Sequence, residues 1–205
     1  MGRRTDHTRE QIHDLALAAA RRIVAAEGLR GLTARRVARE IGYTIGTIYN
    51  CFENLDDLIL QMNGETLDLL YGAMTENALP DGPENALRAL IARQLHFAGR
   101  NPGLWAAVFS YEAPPDQEVP VAYRQKIRRL LGLFELALAP LLPQGAAHRA
   151  GHMARTVWVA LQGFSALAAS EAPGAAEPAQ ALADTFVAGF IGGLPVTARQ
   201  PGAFG

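Results

Sequence analysis

Apolar and polar positions alternate along almost the whole chain at intervals of three and four, the period of helices that bury one face. The first stripe is Ile12, Leu15, Ala16, Ala19 and Ile23, preceded by Thr8-Arg9-Glu10-Gln11, which fits a capping box with Thr8 as N-cap. Gly28 ends that helix. Thr33 caps a short second segment over 34–40 that turns Val37, Ala38 and Ile41 to one side, and Gly42 breaks it. Thr44 caps a third short helix running to about Asn50. Asn54, with Asp57 three residues on, caps a long fourth helix from Leu55 to about Asn77.

Leu79-Pro80-Asp81-Gly82-Pro83 reads as a loop, and Pro83 suits the first turn of the next helix, which runs to about Arg100. After Asn101-Pro102-Gly103 a helix passes through Trp105 and Phe109, and Ala113-Pro114-Pro115-Asp116 is a further break. Helices over 119–138, 146–170 and 178–193 follow, the last two split by a Pro/Gly/Ala linker at 172–178. Period-two alternation is missing, and Val, Ile and Thr do not gather in bounded runs, so strands are not expected. The pattern predicts an all-α chain of about nine helices, with a small three-helix domain over 1–54 and a larger helical domain over 55–205. In the final segment Phe186, Val187, Phe190, Ile191 and Leu194 cover more than half the helix circumference, and Gly189, Gly192 and Gly193 permit close approach. A helix apolar nearly all round is buried on both sides, against a second copy of the chain or within the monomer.

Composition narrows the function. Of 205 residues 49% are hydrophobic and 19% charged, the balance of a globular protein. The net charge of −1 argues against a generic polyanion binder. It divides unevenly, however: residues 1–50 carry nine Arg against five Asp/Glu, a net of +4, leaving −5 for residues 51–205. A cationic first quarter on an anionic remainder suggests a polyanion-binding module joined to something else, or chance scatter. One cysteine, Cys51, excludes a disulfide framework and a multi-cysteine zinc site. The charged N-terminus does not read as a secretory signal, and no run approaches about 18 apolar residues, so a cytoplasmic protein without membrane spans is expected. His148-x3-His152 has the spacing of a zinc pair, but no third ligand is near and Gly151 weakens the helix. Cys51 has no His partner in sequence, and no Gly-rich phosphate loop occurs. A non-enzymatic protein follows, with no catalytic residues, metal or cofactor.

The residues that carry chemistry lie in the cationic quarter. Two short helices joined by a tight glycine turn, 33–41 and 44–50 about Gly42-Tyr43, form a helix-turn-helix. Ala38 is small where the helices meet, Ile48 and Phe52 anchor the second, and Thr44 leaves the start of that helix open, where backbone N–H groups can meet a phosphate. Such a helix suits the major groove, about 12 Å wide. The stretch from Gly31 to Phe52, with Thr33-x-Arg35-x-x-Ala38, Gly42-x-Thr44-x-Gly46-Thr47-x-Tyr49-x-x-Phe52 and the following Asp56-Asp57-Leu58-Ile59, resembles the N-terminal domain of the TetR family of transcriptional regulators. The resemblance covers residues 8–62.

It implies a DNA-facing set of Thr33, Ala34, Arg35, Thr44, Ile45, Gly46, Thr47, Tyr49 and Asn50. Thr33 and Thr47 would contact phosphates through hydroxyl and N–H, Tyr49 through its OH, while Arg35 and position 45 would face base edges. Capping alone also explains Thr33 and Thr44. Three departures stand out: Cys51 where the family usually has His, Leu55 where it usually has a phosphate-binding Lys, and Ile45 at a position usually polar. Ile45 can meet a thymine methyl but cannot hydrogen-bond a base, so more of the readout would rest on Arg35. For the remainder the resemblance implies an effector-binding and dimerisation domain, with the last two long helices joining two copies. Residues 93–105 and Trp158-x3-Gln162-Gly163 look like a subset with a Trp-x3-His-Gly signature, Gln162 replacing the His. Phe97, Trp105, Phe109, Trp158 and Gln162 are the candidate effector residues, with Phe164 and His96 beside them, and any single aromatic reads more readily as ordinary core. The expected function is a repressor released from a palindromic operator by a small, mainly apolar effector. The alternatives are an activator of the same fold, or a helical scaffold with weak DNA binding.

Overall fold

The computed structural model describes residues 7–112, 118–169 and 179–193. Among these it contains nine α-helices and no strand: α1 (Arg9–Glu27), α2 (Ala34–Ile41), α3 (Ile45–Tyr49), α4 (Leu55–Thr75), α5 (Pro83–Arg100), α6 (Pro102–Ser110), α7 (Val121–Leu138), α8 (Ala150–Ala169) and α9 (Ala179–Gly192). The breaks read at Ala113–Asp116 and at 172–178, and Leu194 of the final apolar segment, lie outside the described residues. The chain forms two compact units. One comprises Met1–Leu69 and Asn101–Lys126, the other Leu70–Arg100 and Ile127–Gly205, so α4 runs from the first into the second.

In the first unit the expected caps are present. Thr8 accepts from the Gln11 amide, and the Gln11 side chain accepts in return from the Thr8 amide at 2.8 Å. The buried face of α1, including Ala16, Ala19, Ala20, Ile23 and Val24, packs with Val37 and Ala38 of α2, Ile48 of α3, Leu58 and Met62 of α4, and Leu104 and Ala107 of α6. Small residues on α1 permit close crossings. At Gly103 a Cβ would lie 2.5 Å from the Val24 carbonyl oxygen and 3.0 Å from that of Ala25, so α6 meets α1 backbone to backbone. The buried Asn63 amide donates to the Ala107 carbonyl at 3.1 Å and ties α4 to α6.

In the second unit α5 buries Leu87, Leu90, Ile91, Leu95, Phe97 and Ala98. Arg93 closes the end of α4: its guanidinium donates to the carbonyls of Met74 (2.7 Å), Asn77 (2.8 Å) and Ala78 (3.0 Å), acceptors the helix terminus leaves open. That closure ends α4 at Thr75, two residues before the point expected from sequence. Phe134 of α7 meets Trp158 of α8 edge-on at 6.4 Å, and Phe164 of α8 meets Phe186 of α9, which stacks on Phe190. Gln94 is fully buried among these helices, and neither its amide nitrogen nor its oxygen is hydrogen-bonded.

Candidate functional site

The turn between α2 and α3 is fixed by backbone geometry. Gly42 takes the left-handed conformation, φ 76° and ψ 27°, which glycine adopts without a Cβ penalty. The Tyr43 amide reaches back to the Ala38 carbonyl at 2.8 Å and the Gly42 amide to that of Arg39, a Schellman closure. Thr44 then opens α3, its hydroxyl accepting from the Thr47 amide at 3.3 Å and sharing a 3.0 Å hydrogen bond with the Thr47 hydroxyl. Thr33 does the same for α2 through the Arg36 amide at 3.2 Å. A capping hydroxyl accepts through a lone pair and keeps its O–H for donation, so the Thr33 hydroxyl remains able to meet an anion.

α3 has five residues, far below the length at which a helix stands alone. Its position comes from Ile48 and Phe52, 1% and 2% exposed in the shared core. A polar chain braces the turn after it. The His13 ring stacks on Phe52 at 4.7 Å, and its Nε2 lies 2.7 Å from Gln61 Oε1. The Gln61 amide nitrogen donates to Asp57 Oδ1 at 2.9 Å, while Asp57 Oδ2 accepts from the Glu53 amide at 3.1 Å. Because Gln61 spends its N–H on Asp57, its oxygen faces His13, and His13 Nε2 is the donor. α1, α4 and the turn that ends the helix-turn-helix are thereby joined. Arg36 pairs with Glu27 and Arg22 with Glu40, tying α2 to α1. The hydrogen bond from Arg36 holds the Glu27 carboxyl below the usual carboxylate range.

On this frame the expected DNA-facing residues divide. Arg35, Thr33, Thr44, Gly46, Tyr49 and Asn50 are exposed, Tyr49 by half its surface, and Thr47 is half-buried. Arg35 forms no ion pair among the described residues, unlike its neighbour Arg36. Ala34 is buried in the core of the first unit, which leaves only its backbone available. Ile45 is half-buried against the same core, as are Cys51 and Leu55. The apolar residue at position 55 therefore extends the core where the family pattern has an exposed Lys. His13 and Gln61 were not expected from sequence to support the site, and Asp57 reads there as an N-terminal helix charge and as part of the Asp56-Asp57-Leu58-Ile59 match, not as a brace for the turn. Their partners are distant in sequence, and no local pattern signals them.

The candidate effector residues fall in both units. Trp105 and Phe109 belong to the first, ring to ring at 4.7 Å, with Trp105 buried and Phe109 partly exposed. Phe97, Trp158 and Gln162 belong to the second, where Phe97 and Trp158 are buried and the Gln162 amide nitrogen is sealed without a hydrogen-bond partner. His96 is exposed. His148 and His152 are both exposed, His148 beside the Gly145 carbonyl at 3.0 Å, and no group of three metal-binding side chains occurs among the described residues. No described helix is long and apolar enough to cross a membrane.

Comparison with known proteins agrees with this architecture. Residues 16–62 match the family model for bacterial regulatory proteins of the tetR family, and residues 87–190 match the model for a tetracyclin repressor-like C-terminal domain. HTH-type transcriptional regulators from Mycobacterium tuberculosis and Mycobacterium bovis are 26% identical over 153 residues, covering 71% of this chain and 63% of theirs. Among solved structures, a protein of unknown function from Rhodococcus sp. RHA1 is similar at a TM-score of 0.69 and 20% identity, covering 92% of this chain and 98% of that one. The transcriptional regulator FadR from Bacillus subtilis, in complex with stearoyl-CoA, is similar at 0.65 and 14% identity, covering 89% and 99%. The TetR family regulator PfmR from Thermus thermophilus is similar at 0.58 and 14% identity, covering 87% and 98%. With one family model spanning the helix-turn-helix and another most of the helices after α4, the chain belongs to the tetR family of bacterial regulatory proteins.

Proposed function

We propose that this protein is a ligand-responsive regulator of transcription that binds double-stranded DNA as a homodimer, represses from a palindromic operator, and lets go when a small, mainly apolar effector occupies its second unit. The observation that carries this reading is the exposed edge of α2 and α3. There Arg35, which pairs with no acid among the described residues, the half-exposed Tyr49 and the Thr33 hydroxyl project from a frame locked by Ile48, Phe52 and the His13–Gln61–Asp57 chain. Phosphate contacts from Thr33, Thr47 and Tyr49 would set the register, and Arg35 would supply the bidentate guanine contact that reads sequence. Ile45 adds apolar contact at most.

The effector reading rests on Phe97, Trp158 and Gln162. These are two buried aromatics and an amide without a protein partner, the mixture of apolar lining and sparse polar anchors that small-molecule sites use. FadR from Bacillus subtilis, which shares this fold, is known in complex with stearoyl-CoA, a long apolar chain on a charged head, and its chain is a precedent for the apolar part of such a ligand. Since α4 is continuous between the units, a shift at its second half reaches Asp57 and the turn behind α3. The apolar α9, with Phe186, Phe190 and Ile191 only partly covered, suits pairing with a second copy of the chain.

The test is fluorescence anisotropy of a labelled duplex from the region upstream of the gene, with wild-type protein and Arg35→Ala. Arg35→Ala is expected to weaken specific binding about tenfold or more, since a bidentate base contact contributes about 1–3 kcal/mol of discrimination. Equal affinity in the two proteins would overturn the assigned role of Arg35. An effector that binds without changing duplex affinity would overturn the release mechanism, because coupling is reciprocal.

A further inference from the structure

The first unit contains a cleft that the helix-turn-helix does not use. It has a volume of about 270 Å³ and lies between α4 and the start of α7. Leu60, Pro120 and Ala122 supply its apolar wall, and Gly64 its floor, where the missing side chain leaves the space open beside the Lys126 stem and the Tyr123 ring. Three charges reach it. Lys126 is paired with Asp68, and Glu65 with Arg21 at 3.4 Å, so these are neutralised within the protein. Asp57 is different: both of its oxygens accept from neutral amides, and no cation among the described residues pairs with it. A second observation points the same way. Tyr123 lines the cleft, and its hydroxyl has no hydrogen bond among the described residues, so it is available to an occupant.

We propose that this cleft is a second ligand site, taking a small organic cation: an amine on a compact apolar body. Asp57 takes the ammonium, the Tyr123 hydroxyl accepts or donates a further hydrogen bond, and the apolar wall takes the hydrocarbon. All of the cleft's lining residues belong to the first unit, unlike Phe97, Trp158 and Gln162 of the effector site proposed above. Its occupant touches the carboxylate that also holds the Glu53 amide behind α3 and, through Gln61, His13 of α1. A ligand here therefore bears on the frame of the helix-turn-helix from within the first unit.

The experiment is a titration of the full-length protein without DNA, followed by calorimetry and by two-dimensional NMR. The probe is phenethylamine, with phenethyl alcohol as neutral control and hydrocinnamate as anionic control. The amine is expected to bind at least about tenfold more tightly than either control and to shift the Gly64 and Tyr123 resonances. Asp57→Asn should abolish the preference for the amine over the alcohol, and the milder Tyr123→Phe should weaken the amine about threefold. Equal binding of the three probes, no binding at all, or amine binding unchanged in Asp57→Asn would each overturn the proposal. The wild-type comparison decides the matter even if Asp57→Asn loosens the turn. Because no DNA is present, the result stands apart from the regulator reading.

Discussion

Replacing Ile48 separates what holds α3 in place from what α3 presents. Five residues cannot hold a helix against the entropy of the open chain, since isolated helices need about 12–15 residues to be even marginal. The Thr44 cap contributes about 1 kcal/mol, so most of the hold must come from Ile48 and Phe52, which are almost fully buried. Ile48→Ala removes three carbons from a well-packed site and should cost about 2–5 kcal/mol, while Ile48→Val, which removes one, should cost about 0.5–1.5 kcal/mol. Tyr49, one residue along and half exposed, touches little, and Tyr49→Phe should change stability by less than about 0.5 kcal/mol. Urea unfolding followed by circular dichroism gives the stabilities, and anisotropy with a labelled duplex gives the affinities. The expected pattern is opposed. Ile48→Ala loses stability, and with it affinity, in graded proportion to Ile48→Val. Tyr49→Phe keeps stability and loses affinity, because only its hydroxyl is gone. If Ile48→Ala cost less than about 1 kcal/mol, the short helix would owe its position to something other than these anchors.

Three further outcomes follow from the same geometry. Thr44→Ala should cost about 0.5–2 kcal/mol in urea unfolding, with Thr44→Ser restoring most of it, because the hydroxyl caps the Thr47 amide. Gly103→Ala should destabilise by about 1–3 kcal/mol, lowering Tm by about 2–4 °C per kcal/mol, whereas Gly132→Ala, with nothing within 4 Å of its new Cβ, should be neutral or stabilising. Burial pushes the Tyr123 hydroxyl up to about 12 from an ordinary value of 10.0. The folded state thus holds a proton that the unfolded state has released, and the associated stability is complete below pH 10.0 and is lost as pH rises through about 12. Alkaline unfolding curves should show this loss in the wild type and a flatter dependence in Tyr123→Phe.

Local physics made much of this molecule legible from its sequence. Thr8, Thr33, Thr44 and Gly42 each act within three or four residues of themselves, and their caps and turn form where the pattern indicated. The burial of Ile48 and Phe52 followed from helical spacing in the same way. What escaped depends on partners far along the chain. The end of α4 is set by Arg93, sixteen residues beyond Asn77. Asn101–Lys126 packs with the first unit through Gly103 and Ala107, although it follows α5 in sequence. Ala34 and Ile45 sit on the helix faces from which contacts to DNA were expected, yet the core of the first unit claims Ala34 wholly and Ile45 in part. The Asp57–Gln61–His13 chain spans 48 residues between His13 and Gln61, and polar residues on a helix face carry no mark of which distant group they will meet.

The central claim is that the edge formed by α2 and α3 reads DNA sequence. Selection of binding sites from a random duplex library by the full-length protein, at physiological salt, tests it most directly. The account predicts enrichment of a palindrome whose half-sites lie about one helical turn apart or a multiple of it. It also predicts that Arg35→Ala relaxes the preference at one position per half-site, while Arg36→Ala does not, Arg36 being held by Glu27. Recovery of duplexes with no shared sequence, bound only through their phosphates and released by modest salt, would contradict it.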